Sequence, residues 1–483
     1  MGDENSTLSE ADARHLLRRT GFDVSAKTIE KWVASGQTRG GAADELLKFK
    51  PQGFKPNGKT FEDIHDKWVK FMLKTKAALQ EKLVLFWHDH FATGVSKVAD
   101  APLMTKQNAL LRRFCKGDFK QLVKEINRDP ATMEYLDTVR NSKDGLNENY
   151  GREVQELFTL GVKDSNGNDN YLQEDIVQIA RAFTGWRYDD KGESYLSNDR
   201  HAFGGAPKVI YKSTGQFGAA GVDYAAGGEG EDEIEAVTDI IFQHRDSDGR
   251  NTVARRTARR LIEFFGTPNA PQDFVDDCVG TGPDAFDTTW SIEGVLRRMF
   301  THDDFYLGAG APGVTTHKSI AWPTDYVLTT LRTLKVKPKG KDLIIAGGTY
   351  SAIRDHLVDM GQTLFDPPSV FGWDWETNWI SSATLLARYG FVRDLTSARD
   401  GGGTSFRPEK LIDLTLTDAN DIVDAVLTVC GVHAAFTNVE KTALATYLTD
   451  GAGPIDLADP DYRNRKLNGL FALVLESPAY QLV

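Results

Sequence analysis

The chain has 483 residues, 40% of them hydrophobic and 26% charged, which is typical of a soluble globular protein with a sizeable core. The net charge of −12 argues against a nucleic-acid backbone or an anionic membrane as the main partner, because both require clustered lysine and arginine. Three widely spaced cysteines exclude a disulfide framework, and no apolar stretch approaches the roughly 20 residues that span a bilayer.

Helical periodicity dominates the first third of the chain. Ser9 is the predicted N-cap of the first helix, Asp12 completes a pattern similar to a capping box, and Gly21 is the predicted stop. Residues 60–94, "TFEDIHDKWVKFMLKTKAALQEKLVLFWHDHFATG", predict one or two long helices ending at Gly94. The sequence therefore predicts a mainly α fold with little β structure.

A segment rich in glycine, serine, tyrosine and aspartate interrupts this pattern from about Asp189 to Gly230. Helices resume afterwards, and the arginines of "ARRTARRL" (254–261) spread around one of them, which favours structural or ion-paired roles. "DLIIAGG" (342–348) predicts a short isolated strand. We predict an N-terminal helical region (1–188), an insertion loop (189–232) and a C-terminal helical region (233–483), packed as one continuous domain.

The stretch "NENYGREVQELFTLG" (147–161) concentrates acidic residues on a helix. Glu153 and Glu156 are three residues apart and therefore neighbours, and Glu148 precedes Arg152 in the favourable i,i+4 order. A solvated face with Arg152 as internal partner is one interpretation. If the two carboxylates are instead buried, one pKa must rise or a cation must bind.

Two nearby stretches carry candidate metal ligands. Asp164, Asn166, Asn168, Asn170 and Asp175 have the spacing of a calcium loop, although Asp169 stands where such a loop needs glycine. "LVLFWHDHFATG" carries His88 and His90. These point roughly 200° apart on a regular helix, so both cannot ligate one metal there. A buried histidine held by hydrogen bonds is the alternative for each.

The stretch "DPPSVFGWDWETNWI" (366–380) is an irregular aromatic loop, since two consecutive prolines exclude a helix interior. Trp373 and Trp379 are candidate substrate-binding residues that could stack on sugar rings or line an apolar pocket. The alternative is a loop folded over the core, with each indole N–H bonded to the backbone. Arg388, on the following helix, is a third candidate substrate-binding residue, and we expect it to reach a carboxylate of the acidic helix.

These motifs together resemble a large bacterial family, the domain of unknown function 1800. The resemblance runs in order along nearly the whole chain. It includes "RHLLRRTGF" (14–22), "LFWHDHFATG" (85–94), "NENYGREVQELFTLGV" (147–162), "YLQEDIVQIARAFTGW" (171–186), "KVIYKSTGQFG" (208–218), "TARRLIEFF" (257–265), "LFDPPSVFGWDWETNWISSATLLARYGF" (364–391) and "LESPAYQLV" (475–483).

The resemblance implies a predominantly helical bacterial protein, often exported to the periplasm or cell envelope and often encoded beside a sulfatase-like protein. No signal peptide is evident in "MGDENSTLSEADARHLL". The polar residues of the family motifs correspond here to His88, His90, Asn149, Arg152, Glu153, Glu156, Gln173, Asp175 and Arg181. Polar residues in several shared motifs favour a buried polar site around the Glu153 helix.

Two main functions remain compatible with these residues, beside a third hypothesis of a calcium-stabilised module that uses Asp164 to Asp175. The first is a hydrolase-type enzyme with Glu153, Glu156 and Arg152 as catalytic residues. It would either bind a divalent metal (Zn, Mn, Fe or Ca) through His88, His90 or Asp175, or work by acid–base chemistry on a glycoside or ester. The second is a non-catalytic partner of the sulfatase-like protein, in which Arg152 and Arg181 neutralise the acidic motif in a buried ion-pair network.

Overall fold

The computed structural model of the protein describes residues 3–56, 58–307, 319–338, 353–397, 406–450 and 454–483. These ranges are mainly helical, as the sequence predicts, and contain two small antiparallel sheets of two strands each. The predicted strand at 342–348 lies outside the described residues.

The helices before the first strand make up the N-terminal part of the fold. They are α1 (Glu10–Thr20), α2 (Ala26–Ala34), α3 (Arg39–Leu47), α4 (Phe61–Lys74), α5 (Ala78–His90), α6 (Val95–Val98), α7 (Ala101–Phe114), α8 (Phe119–Ile126), α9 (Pro130–Tyr135), α10 (Asn149–Glu153) and α11 (Gln173–Ala182). A π-helical turn, Val154–Thr159, directly continues α10.

The strands lie in and beside the insertion. β1 (Trp186–Tyr188) pairs with β2 (Ser194–Leu196) so that Trp186 is opposite Leu196. β3 (Val209–Ile210) pairs with β4 (Val222–Asp223). The insertion predicted as a loop therefore contains two short hairpin-like pairings.

The remaining helices follow the insertion. They are α12 (Glu233–Ile241), α13 (Thr252–Phe265), α14 (Gln272–Val279), α15 (Phe286–Thr289), α16 (Ile292–Thr301), α17 (Pro323–Thr333), α18 (Ile353–Asp359), α19 (Ser382–Thr396), α20 (Ala419–Cys430), α21 (Asn438–Thr449), α22 (Pro460–Tyr462), α23 (Asn468–Glu476) and α24 (Pro478–Gln481). Short 3₁₀ turns lie at Thr138–Arg140, Asp303–Tyr306, Glu376–Trp379, Pro408–Lys410 and His433–Ala435, and a second π-helical turn at Arg463–Leu467.

Local sequence signals account for several helix ends. The Ser9 hydroxyl accepts a hydrogen bond from the Asp12 N–H at 3.1 Å and Gly21 follows the last residue of α1, which confirms both predicted ends. The long pattern at 60–94 forms two helices, α4 and α5, separated by Thr75–Ala77. No helix in the described ranges combines the length and the apolar character needed to cross a membrane.

Helix α5 lies in the centre of the core and carries the histidine motif at its C-terminal end. Nearly all its side chains are buried, including the charged Glu81 and Lys82. Arg112 donates to both carboxylate oxygens of Glu81, at 2.6 and 2.7 Å, and Lys82 pairs with Asp325. These ion pairs satisfy the charges of α5 inside a core cluster whose members extend from Leu8 to Tyr480.

Candidate functional site

The acidic motif forms α10 and the π-helical turn after it. Gly151 allows α10 to lie directly on α11, because a Cβ there would be 2.8 Å from the Ile176 carbonyl oxygen and 3.0 Å from the Ala180 nitrogen. The π turn places Glu156 in wider backbone geometry than an α-helix, and such turns are frequent at functional sites. The first half of the motif therefore packs closely on α11, and the second half departs from α-helical geometry.

Glu153 lies largely inside the protein. Its residue surface is 8% exposed, and no donor among the described residues forms a hydrogen bond with its carboxyl. Burial and, to a smaller extent, the neighbouring Glu156 raise the pKa of this carboxyl, Arg152 opposes the rise, and the net pKa is about 7. Near neutral pH Glu153 is therefore divided between its acid and its base forms.

Glu156 is anchored differently from Glu153. Its side-chain carboxylate accepts a hydrogen bond from the Tyr171 hydroxyl at 3.0 Å. Its backbone carbonyl accepts one from the Arg256 guanidinium of α13, also at 3.0 Å. The two acids of the motif thus have contrasting environments: within the described ranges the Glu153 carboxyl has no hydrogen-bond partner, whereas the Glu156 carboxylate is held by a phenol.

Arg152 lies at the edge of the site. Its side chain is 41% exposed, 3.7 Å from the Glu148 carboxylate and 3.4 Å from the Gln173 side-chain oxygen. This confirms the predicted i,i+4 pair with Glu148. Arg181 donates to the carbonyls of Gly204 and Ala206 in the insertion and to Gln178. Neither arginine forms an ion pair with Glu153 or Glu156 within the described residues.

Both histidines of α5 are buried and held by the protein itself. The His88 Nε2 accepts the Phe365 N–H, and the His90 Nε2–H donates to the Phe158 carbonyl, each at 3.0 Å. Burial lowers the pKa of each ring to about 3, so both are neutral. They therefore fit the alternative of hydrogen-bonded core histidines.

Asp175 is also held by its surroundings. Its carboxylate accepts the Leu172 N–H at 2.8 Å, which caps α11, and the Tyr211 N–H at 2.5 Å. Across the described residues, no three His, Cys, Asp or Glu side chains are grouped so as to hold a metal ion. The structure therefore does not bring His88, His90 and Asp175 together as one ligand set.

The residues of the predicted calcium loop are engaged in hydrogen bonds within the fold. The Asp164 carboxylate accepts the N–H groups of Asn166 and Asn168, at 2.9 and 2.8 Å. The Asn170 side chain donates to the carbonyls of Leu160 and Gly161. These contacts are those of a turn closed by its own side chains.

The aromatic loop is attached to the end of α5 through Asp89. The fully buried Asp89 carboxylate accepts the Trp373 N–H at 2.8 Å and the Trp375 indole N–H at 3.1 Å, and it pairs with Arg260 at 3.3 Å. Gly372 has φ of +83°, and a Cβ there would lie 2.3 Å from an Asp89 oxygen. Burial raises the pKa of Asp89 to about 6, while Arg260 and the loop donors oppose the rise.

Trp373 and Trp379 are each 3% exposed and pack with Trp322 in a small apolar cluster. Their indole N–H groups find no hydrogen-bond partner among the described residues. The loop therefore folds over the core, which was one of the two interpretations of the sequence. The expected backbone acceptors are not found for these indoles in the described part of the chain: the Trp375 indole N–H donates to the Asp89 carboxylate instead. The substrate-binding role of both tryptophans stays a prediction.

Arg388 does not have the contact expected from the sequence. It is fully buried and donates to the Gln481 side chain and the Ala321 carbonyl, both at 2.8 Å. The expected ion pair with the acidic helix was wrong, because α19 presents this side chain to the C-terminal segment. A substrate-binding role for Arg388 stays a prediction without a contact to the acidic motif.

Several residues of this region were not selected from the sequence: Tyr171, Asp89, Arg256 and Arg260. Tyr171 opens the motif "YLQED", and Asp89 stands between the two histidines, so both were visible as polar members of shared motifs. Arg256 and Arg260 lie one turn apart on α13, where spacing alone indicated only structural arginines. Arg256 holds the π turn and Arg260 holds Asp89, so α13 connects the acidic motif to the aromatic loop.

Comparison with known proteins gives one family match. The model of a family described as protein of unknown function (DUF1800) matches residues 15–482, essentially the whole chain. Neither the curated proteins nor the solved structures give a significant match.

Proposed function

We propose that this chain, which belongs to the DUF1800 family of proteins of unknown function, is a hydrolase-type enzyme that uses Glu153 as its general acid and base. The observation that carries the proposal is the buried Glu153 carboxyl, with a pKa of about 7 beside the second carboxyl of Glu156. A group with this pKa donates and accepts protons with similar ease at neutral pH.

The contrast between the two carboxyls supports the division of roles. In enzymes that use two acids, different environments separate their pKa values, and one remains protonated while the other is charged. Here Tyr171 donates a hydrogen bond to Glu156, whereas Glu153 has no hydrogen-bond donor in the described ranges. In the proposed reaction Glu156 is the second carboxyl, which orients water or stabilises developing positive charge in hydrolysis of a glycoside or an ester.

Arg152 has a supporting role in this proposal. Its exposed guanidinium lies at the rim of the site and lowers the pKa of Glu153. It is available to a substrate oxygen because its contacts to Glu148 and Gln173, at 3.7 and 3.4 Å, are long. A non-catalytic partner of a sulfatase-like protein is the weaker candidate, because its ion-pair network would need Arg152 or Arg181 on the buried acid.

The test is hydrolysis of a panel of chromogenic glycosides and esters by the wild type and three glutamine variants. We expect Glu153→Gln and Glu156→Gln to lower kcat by roughly 100-fold or more, the usual contribution of acid–base catalysis. Glu174→Gln, an exposed acid at the start of α11, is the matched control and should retain activity. Glycosidase or esterase activity that survives Glu153→Gln would overturn the proposal.

The pH dependence offers a second measurement on the same activity. If protonated Glu153 is the required acid, kcat/KM falls as pH rises through about 7, where this carboxyl loses its proton. The decline should follow a single ionisation in the wild type. A profile that is flat between pH 6 and 8 in the active wild type would contradict the assigned role.

A further inference from the structure

A cleft of about 790 Å³ opens beside the C-terminal ends of α4 and α17, and none of its lining residues belongs to the acidic motif. Its apolar wall consists of Leu73, Leu331, Val336 and Pro338. Its polar lining consists of Asp23, Lys70, Lys74, Arg332, Lys335 and Lys337. Five cations thus face one carboxylate in a chain whose net charge is −12.

The four lysines of this cleft are available to a ligand. All four are exposed, and none forms an ion pair within the described ranges. Some lysines elsewhere in the fold are paired: Lys120 and Lys124 both bind Asp239, and Lys106 binds Glu193. Single exposed lysines without an ion pair in the described ranges, such as Lys143 and Lys212, also lie elsewhere, so what distinguishes the cleft is that four of them line one cavity.

A role in stabilising the C-terminal end of α4 does not account for Lys70 and Lys74. Cations near a helix C-terminus interact favourably with its free carbonyls. At the end of α4, however, Arg332 already donates to the carbonyls of Met72 and Thr75, each at 3.1 Å. Arg332 is therefore held by backbone carbonyls, whereas the four lysines have no ion pair in the described part of the chain.

We infer that this cleft binds a small molecule carrying two or more anionic groups. The volume is that of a ligand pocket rather than of a protein interface. Lysines act as mobile point charges that suit phosphate, sulfate or carboxylate groups, and the aliphatic wall accommodates a short carbon skeleton. The absence of aromatic side chains among the lining residues argues against stacked nucleic-acid bases.

Asp23 is the one acidic residue among those that line the cleft. Its carboxyl lies among the cations, where burial raises its pKa although Arg332 and Lys335 oppose the rise. Its negative charge repels an anion in the cleft. Removing this charge should therefore tighten binding, whereas removing lysine charges should weaken it.

The experiment is calorimetric titration at about 20 mM salt with pyrophosphate, citrate and a disulfated disaccharide as probes. These three probes distinguish phosphate, carboxylate and sulfate ligands. We expect at least one to bind the wild type below about 1 mM, roughly ten times more weakly at 200 mM salt because ions screen exposed charges. Failure of all three to bind the wild type would overturn the inference.

Double lysine variants test whether the probes bind in this cleft. Lys70→Gln/Lys74→Gln and Lys335→Gln/Lys337→Gln should each weaken binding roughly tenfold, and Asp23→Asn should strengthen it roughly threefold. Lys143→Gln/Lys212→Gln removes two exposed charges outside the cleft lining and should bind like the wild type at high salt. Equal loss in the control and cleft variants would show a general charge effect and refute the site.

Discussion

Glu153 differs from the other acids of its helix in what surrounds its carboxyl. Its ordinary pKa of 4.5 rises to about 7 in the fold, so the folded chain holds an extra proton between these pH values. The unfolded chain loses this proton at a lower pH than the folded chain. Protonation of Glu153 therefore stabilises the folded chain fully below about pH 4.5, and this stabilisation is lost as pH rises through about 7.

The wild type should therefore lose about 1–2 kcal/mol more unfolding free energy than Glu153→Gln between pH 5 and pH 8, with partial solvent screening included. Denaturant unfolding at the two pH values measures this difference. Glu174→Gln is the exposed control and should lose stability in parallel with the wild type. Identical pH dependence of the wild type and Glu153→Gln would mean that Glu153 titrates normally.

At the scale of elements, α5 determines where the aromatic loop lies. His88 accepts the Phe365 N–H and Asp89 accepts donors from Trp373 and Trp375, so two adjacent residues bind both ends of residues 364–375. The sequence predicts the helix and the irregular loop separately, from periodicity and from consecutive prolines. It does not predict their contact, because some 280 residues separate the partners and no local pattern encodes the pairing.

Asp89→Ala should destabilise the protein by about 2–4 kcal/mol, because it leaves two N–H donors and Arg260 without their acceptor. Tryptophan fluorescence should shift to longer wavelength as the loop becomes hydrated. Gly372→Ala should resemble it, since a Cβ cannot fit against Asp89. Asp374→Ala changes an exposed acid of the same loop and should leave both stability and fluorescence near wild type.

The π-helical turn illustrates another limit of sequence reasoning. The sequence of 147–161 predicts an amphipathic helix, and the structure has a helix there, but its second half is wider than an α-helix. The widening is accompanied by tertiary contacts, since Arg256 of α13 binds the carbonyls of Glu156 and Leu157. The burial of Glu153 likewise depends on packing that residue spacing alone cannot specify.

At the scale of the whole molecule, the insertion is more exposed to solvent than the core to which it is attached. Core residues extend from Leu8 to Tyr480, in keeping with the predicted continuous domain, whose boundaries at 188 and 232 stay predictions. The insertion is attached to this core through buried Ile210, Tyr211 and Tyr224 and through polar contacts. Lys208, 2% exposed, pairs with the fully buried Glu233 of α12 and with Glu229 at 3.2 Å, and His201 lies 3.4 Å from Glu233.

Because most residues of the insertion are exposed, we expect it to open at a lower free energy than the core. Glu233→Gln leaves Lys208 with a weakened pair in a buried position, which costs a few kcal/mol and acts locally. Limited trypsin digestion should then cleave at Lys191, Arg200 or Lys212 roughly tenfold faster than in the wild type, while the main thermal transition falls by only a few degrees. Glu231→Gln, an exposed neighbour on the same segment, should be cleaved at the wild-type rate. If Glu233→Gln lowers the main transition strongly and cleavage spreads over the whole chain, the insertion and the core unfold as one cooperative unit.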